Sequence, residues 1–204
     1  NSERSLTFTL GLVGPAAGGE FVQVNWHQLI DGQEPRGWDT QLHNELVFSV
    51  AGQNIERRVL LGDEAGLQLD LVGHAGLTLG TVRTDASAGA TVRLGFDLGS
   101  DFAPPRLRPA LAPSSVFSTR QPAGGYVFAG VGGYAVARDL FLDGNTFRDS
   151  RSVEREWLVG DFQAGAAVHV GRVRAAFTYV VRSEQFETQN GPDRFGAVSV
   201  SVAL

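Results

Sequence analysis

Polar and apolar residues alternate along most of this chain. In the stretch GRVRAAFTYVVRS, residues 171–183, one set of alternate positions carries three arginines, and the other set, from Val173 to Val181, is apolar or aromatic. Such alternation is the pattern of a β-strand with two unlike faces. It recurs in six further segments: residues 4–13, 40–50, 66–80, 86–99, 161–171 and 194–204. The segment 124–137 is Gly-rich and mostly apolar on both faces, and taking it as a strand as well gives eight predicted strands with no long helix between them.

The pattern also assigns individual side chains to faces. It places Leu42 with Leu46 on the apolar face of the second strand, and Leu98 with Phe96 on the apolar face of the fourth. Between residues 67 and 79 the parity holds without a slip, so this strand is longer than the usual five or six residues.

The predicted connections are of two kinds. A tight turn is expected at Gly171, and long polar loops are expected at residues 14–41, 99–123 and 138–156. Short turns at one end and long loops at the other are typical of outer-membrane barrels. In a simple up-and-down order of strands, however, the long Pro-rich segment 99–123 falls at the same end of the barrel as the tight turns and not with the other long loops.

Alternation alone does not decide which face meets water. In a soluble sandwich or a lipocalin-like barrel the apolar side chains face a core, whereas in a membrane barrel they face lipid and the polar ones line the lumen. Long strands, minimal turns at one end and an apolar face rich in small residues favour the membrane barrel. We therefore predict an all-β fold, with a single domain over residues 1–204. The domain is a transmembrane antiparallel β-barrel of about eight strands in this chain, with a short helix in an extracellular loop.

Composition removes several classes of function. The 204-residue chain has no Cys, which excludes disulfides and thiolate chemistry, and its net charge of −5 argues against nucleic-acid binding. No apolar run approaches the length of a transmembrane helix. All 17 basic residues are Arg, the side chain best suited to bidentate contacts with phosphate or carboxylate.

Residues 13–45 leave the strand pattern. Between Glu20 and Ile30 the apolar residues fall near one helical face, and Gln23 and His27 lie four residues apart on another. An imidazole exchanges protons near neutral pH, so His27 could act as a general base on water, with Gln23 holding the ring or donating to a developing oxyanion. The alternative is an amphipathic helix on the barrel rim, anchored by Trp26, in which His27 is merely polar.

Other polar residues offer weaker signals. Asp31, Glu34 and Asp39 could supply oxygen ligands to a hard cation such as Ca²⁺, although loop acids are usually just solvated. Asp143 and Asn145, in FLDGNTFRDS, are as suited to capping a turn as to touching a ligand. The sequence contains no Gly-x-Ser-x-Gly elbow, no His-Glu-x-x-His motif and no phosphate-binding loop.

Several unusual strings occur in the order found in a known family: GPAAGGEFVQVNWHQLIDGQEPRGWDTQLHNE, DFAPPRLRP, YVFAGVGGYAVARDLFLDGNTFRDS, LVGDFQAGAAVHVGRVRAAFTYVVRSEQFE and DRFGAVSVSV. Along essentially its whole length the chain resembles the outer-membrane lipid A 3′-O-deacylase family. The resemblance implies a Ca²⁺-dependent hydrolase in a β-barrel of the bacterial outer membrane, which removes an acyloxyacyl chain from lipid A. It also implies that His27 activates water and that Gln23 is an active-site glutamine. Glu34 is the nearest counterpart of an acidic metal-site residue, with the spacing shifted by one.

The chain departs from this family at its front. The family's Asn-Asp pair and its Thr-Asp…Tyr-Thr-Asn-Gly segment, which help to bind Ca²⁺ and build the oxyanion hole, have no counterpart here, so the chain resembles the C-terminal two-thirds of such an enzyme. The expected mechanism is ester hydrolysis with His27 as general base, Gln23 orienting and Ca²⁺ polarising the carbonyl. The expected partners are lipopolysaccharide and outer-membrane lipids, and the expected state is a monomer. The alternative is a non-catalytic barrel that is structural or binds lipopolysaccharide.

Overall fold

The computed structural model describes residues 1–33, 35–63, 66–103, 117 and 121–203. Within these residues lie eight strands: β1 (Ser2–Val13), β2 (Glu45–Leu61), β3 (Leu67–Gly80), β4 (Arg83–Phe96), β5 (Ala123–Asp139), β6 (Leu158–Val170), β7 (Val173–Arg182) and β8 (Asp193–Val202). Two α-helices accompany them: α1 (Gly19–Leu29), between β1 and β2, and α2 (Leu140–Asp143), directly after β5.

The strands form one antiparallel sheet in which every strand pairs with its neighbours in sequence, in the order β1 to β8. The predicted all-β antiparallel fold with one short helix in a long loop is therefore confirmed. Among the described residues, the outer edges of β1 and β8 have no strand partner, so the curled sheet is a half-barrel. In the same part of the chain, no helix is long and apolar enough to cross a membrane.

Because the strands run up and down in sequence, their connections fall alternately at two ends of the sheet. The strands β1, β3, β5 and β7 end at the helix end, which is named for α1, and the strands β2, β4 and β6 end at the turn end, which is named for the turn at Gly171. The tight turn at Gly171 is confirmed. Its N–H group donates to the carbonyl of Pro122 at 2.7 Å, so the Pro-rich connection does end beside the tight turn.

The two faces of the sheet differ in the way that the alternation predicted. The apolar set of each strand points outward and is largely exposed, as in Phe8, Leu10, Leu77, Val131 and Val200. The polar set points to the inside of the curve and is largely buried from β2 to β7, as in Gln53, Asp70, Arg93, Gln163 and Thr178, whereas no residue of the edge strands β1 and β8 is buried. This arrangement is the reverse of a soluble sandwich, in which the apolar side chains are the buried ones.

The buried charges on the inner face are paired. Asp70 and Arg93 are both 0% exposed, and two guanidinium nitrogens of Arg93 donate to the two oxygens of Asp70 at 2.9 and 2.7 Å. Arg57 donates to the same carboxylate. Arg182 holds Asp161 in the same two-pronged way, at 2.7 and 2.8 Å. Charges away from water are tolerated only with such partners, so these pairs explain how a narrow interior can hold so many ionised groups.

Two apolar residues do not lie where the alternation predicted them. β4 ends at Phe96, and Asp97 adopts a φ of +54°, which turns the chain into the interior. Leu98 is consequently fully buried and does not lie on the outward face. Leu42 precedes β2 and packs against a buried apolar cluster at the helix end. Both predictions were wrong because the period of two holds only within a strand, and each residue lies just outside one.

Candidate active site on the first long connection

Helix α1 stands on the connection between β1 and β2. Gly18, with a φ of +73°, ends a short 3-10 turn and precedes the first helical residue. Glu20 in the first turn suits the helix dipole, and His27 lies in the last turn. None of the residues of α1 is buried. The apolar side chains predicted to share one helical face are all exposed: Phe21, Val22, Trp26, Leu29 and Ile30.

The structure keeps Gln23 and His27 one turn apart on α1, as their spacing predicted. The Nδ1 atom of His27 lies 2.5 Å from the carbonyl oxygen of Gln33. Because a carbonyl can only accept a hydrogen bond, Nδ1 carries the ring proton, and Nε2 of the neutral imidazole is left as an acceptor. Nε2 is therefore the atom that could take a proton from water.

In the part of the chain that the structure describes, the acids near α1 do not assemble into a metal centre. Glu34, the predicted metal ligand, lies outside the described residues. Asp31 and Asp39 are both exposed. Among the residues that the structure describes, no group of three or more His, Asp or Glu side chains could hold a metal ion. The described residues therefore do not fit a Ca²⁺ site, since Ca²⁺ takes six to eight oxygen ligands.

The base of this connection is tightly closed at the rim of the sheet. Val13 and Glu45 are the last register pair of β1 and β2. Beyond them, the N–H group of Ala16 donates to the side chain of Asn44 at 2.7 Å. Gly14 adopts a φ of +93° and packs so closely on the backbone of His43 and Asn44 that a Cβ atom would not fit.

A residue from the connection between β5 and β6 completes this base. The side-chain amide of Asn145 accepts from the N–H group of His43 at 2.9 Å and donates to the carbonyl of His43 at 3.0 Å. It also donates to Glu45 Oε2 at 3.0 Å. The sequence around Asn145 predicts either a turn cap or a ligand contact, and the side-chain contacts that the structure shows are of neither kind. No local signal could have revealed its partners, which lie about 100 residues away in the chain.

A curved antiparallel wall with apolar residues outside and paired charges inside is the construction of a membrane-spanning β-barrel, and α1 places a candidate general base at one rim. The chain belongs to the LpxR outer membrane protein family, because the family model described as "Outer membrane protein LpxR" matches residues 1–204. The predicted bacterial outer-membrane location and the family resemblance are thereby confirmed.

The fold is also that of a solved member of this family. The structure is similar to LpxR from Salmonella typhimurium, with a TM-score of 0.86 and 20% sequence identity, and the match covers 100% of this chain and 68% of that chain. At this identity the likeness shows the fold alone. A search of the curated proteins found no match.

Proposed function

We propose that this outer-membrane protein hydrolyses an ester that joins an acyloxyacyl chain to lipid A. Membership of the LpxR family supports the substrate class. The observation that carries the chemistry is the hydrogen bond between His27 Nδ1 and the carbonyl of Gln33, which leaves Nε2 free to accept a proton.

In the proposed step, Nε2 of His27 removes a proton from water while the water oxygen bonds to the ester carbonyl carbon. The amide of Gln23, one turn away, orients the water and the carbonyl. When the tetrahedral intermediate collapses, the ester C–O bond breaks, and the imidazolium returns its proton to the departing alkoxide of the sugar. The products are the free acyloxyacyl acid and a lipid A hydroxyl group.

The outer face of the sheet supports a lipid substrate. Leu12 and Leu46, at the helix end, point outward and are exposed, so the apolar belt continues to the rim from which α1 rises. Acyl chains held along this belt would stay in the membrane while an ester at the headgroup level lies near His27. The proposed partners are accordingly lipopolysaccharide and the surrounding lipids, with the protein acting as a monomer.

Ca²⁺ is also proposed as a cofactor, on the strength of the family resemblance alone. No reaction step is assigned to it, because the described residues do not form a site for it. Chelation tests this part of the proposal separately from the role of His27.

The test is mass spectrometry of lipid A after incubation with the detergent-solubilised protein, with Ca²⁺ and with chelator. We expect loss of one acyloxyacyl mass, and we expect chelation to prevent it. His27→Ala should lower the rate by about 10²- to 10⁴-fold, as the loss of a general base does. Gln23→Ala should lower it by about 10²-fold if its amide contacts the developing oxyanion.

Asn25→Ala is the matched control, because Asn25 is exposed on the same helix and its side chain donates to the carbonyl of Phe21 within that helix. It should retain full activity. Unchanged lipid A under every condition would contradict the hydrolase proposal and leave a barrel that is structural or binds lipopolysaccharide. Equal activity with Ca²⁺ and with chelator would reject the cofactor alone.

A further inference from the structure

We propose that Asn145 is a positioning residue that fixes the His27-bearing connection to the rim of the sheet. The hydrogen bonds of Asn145 to His43 and Glu45, called the clamp below, are a structural feature in themselves. Their effect on catalysis rests on the proposed hydrolysis. No part of the reaction is assigned to Asn145, because it acts on the connection that carries His27 and not on the substrate.

The three hydrogen bonds of the Asn145 side chain fit the chemistry of an amide. One amide group accepts from the N–H group of His43, donates to the carbonyl of the same residue and donates to Glu45 Oε2, at 2.9, 3.0 and 3.0 Å. Only a side-chain amide can donate and accept in this way, because a carboxylate has no donor. These bonds all run to another segment, so Asn145 does not cap its own turn.

Further hydrogen bonds hold both Glu45 and the turn that contains Asn145 in place. Glu45 is only 7% exposed, and its Oε2 atom also accepts from the N–H group of Thr146 at 2.8 Å. On the other side, the N–H group of Asn145 donates to Ser150 at 2.8 Å, and Arg138 donates to Gly144 and Thr146, each at 3.0 Å. The hydrogen bonds of Asn145 therefore join the start of β2, at Glu45, to a turn that is itself held in place.

Packing against the rest of the described residues does little to fix α1 in place. None of its residues is buried, and the last contacts before the sheet are those at the base of the connection. The chain enters α1 through Gly14 and Ala16, which rest on His43 and Asn44, and Asn145 binds this same segment. A tilt of α1 would move Nε2 of His27 relative to a substrate held by the membrane, and catalysis is sensitive to displacements of about 1 Å.

The test compares Asn145→Ala with Asn190→Ala, a matched control in the connection between β7 and β8, where Asn190 is exposed. Two quantities are measured on the full chain in detergent: kcat and KM for lipid A hydrolysis, and backbone hydrogen exchange by mass spectrometry. We expect Asn145→Ala to lower kcat by about 10- to 10²-fold with little change in KM. Exchange should accelerate in residues 19–32 and stay unchanged in the strands. Asn190→Ala should match the wild type in both.

A pair of conservative changes separates positioning from general damage. Asn145→Asp should behave like Asn145→Ala, because it sets a carboxylate against Glu45. Adding Glu45→Gln supplies an amide that can donate to that carboxylate, and should recover part of kcat and part of the exchange protection. Unchanged kcat and unchanged exchange in Asn145→Ala would overturn the proposal. If the wild type does not hydrolyse lipid A, the proposed function fails. The exchange measurement alone then shows whether Asn145 fixes the connection that carries His27.

Discussion

At the scale of single residues, glycine is used on the inner face to make room for large side chains. Four large residues lie directly opposite glycine on a neighbouring strand: His74 with Gly89, Tyr126 with Gly95, Phe128 with Gly165 and His169 with Gly124. A Cβ atom built at any of these glycines would come within 3.0 Å of the partner's side chain. The glycines are therefore a packing requirement of a narrow interior, in addition to their effect on the backbone.

Gly89→Ala tests this requirement against Gly52→Ala. A Cβ atom at Gly89 would lie 2.5 Å from a ring atom of His74 and closer still to the carbonyl of Val131, whereas at Gly52 it would meet nothing within 4 Å. We expect Gly89→Ala to lower the free energy of unfolding by about 1–3 kcal/mol, the usual cost of overpacking, and Gly52→Ala to leave it near the wild-type value. Urea titration in detergent measures both, and equal values would contradict the packing argument.

At the scale of elements, the first seven residues after β4, residues 97–103, do not behave as a surface loop. Residues 97–103 enter the inside of the curve at the turn end, where Ser100, Asp101 and Ala103 are almost fully buried. The carboxylate of Asp101 accepts from Arg174 at 2.6 Å and from the hydroxyl group of Tyr126. This segment is therefore held from several strands at once.

Asp101→Ala should release this segment. The change removes the carboxylate partner of a buried guanidinium, that of Arg174, and breaking a buried ion pair by removing one partner costs about 3–5 kcal/mol. We expect a loss of that order in the free energy of unfolding, with faster hydrogen exchange confined at first to residues 97–103. Asp149→Ala, at an exposed acid between β5 and β6, should have no such effect. Slow exchange retained in Asp101→Ala would show that the segment is held by other contacts.

At the scale of the whole molecule, the polarity is inverted relative to a soluble protein. Outward residues of the strands are mostly apolar and exposed, and inward residues from β2 to β7 are largely buried and include paired charges beside small apolar clusters. In water such a surface would be a very large exposed apolar patch, which soluble monomers rarely carry. In a membrane it is the lipid contact of a barrel wall, in agreement with the outer-membrane family.

The depth dependence of an introduced charge tests the lipid contact. Val131 lies at the middle of β5 and is 61% exposed, while Val170 ends β6 at the turn end and is 72% exposed. In lipid vesicles, Val131→Arg should cost about 2–4 kcal/mol of unfolding free energy and Val170→Arg only about 0–1 kcal/mol, because the penalty falls from the midplane to the interface. If this face met water, the two substitutions would be equally harmless.

Prediction from the sequence succeeded for features that depend on a short stretch of chain. The number of strands, α1, the spacing of Gln23 and His27 and the two faces of most strands follow from local periods of two or 3.6 residues. The two faces of β5 were not predicted, because its sequence is apolar on both. It failed for Leu98, where one residue with a positive φ redirects the chain. It also missed the role of Asn145, because partners 100 residues away leave no local pattern.

Residue order alone is enough to establish that this chain forms long two-faced strands and carries His27 one turn after Gln23, because backbone geometry converts residue spacing directly into side-chain direction. Three features became known only from the folded chain: the face of the strands that is buried, the entry of residues 97–103 into the interior, and the hydrogen bonds of Asn145 to the segment that precedes β2. These outcomes depend on the curvature and register of the whole sheet, which bring distant residues together.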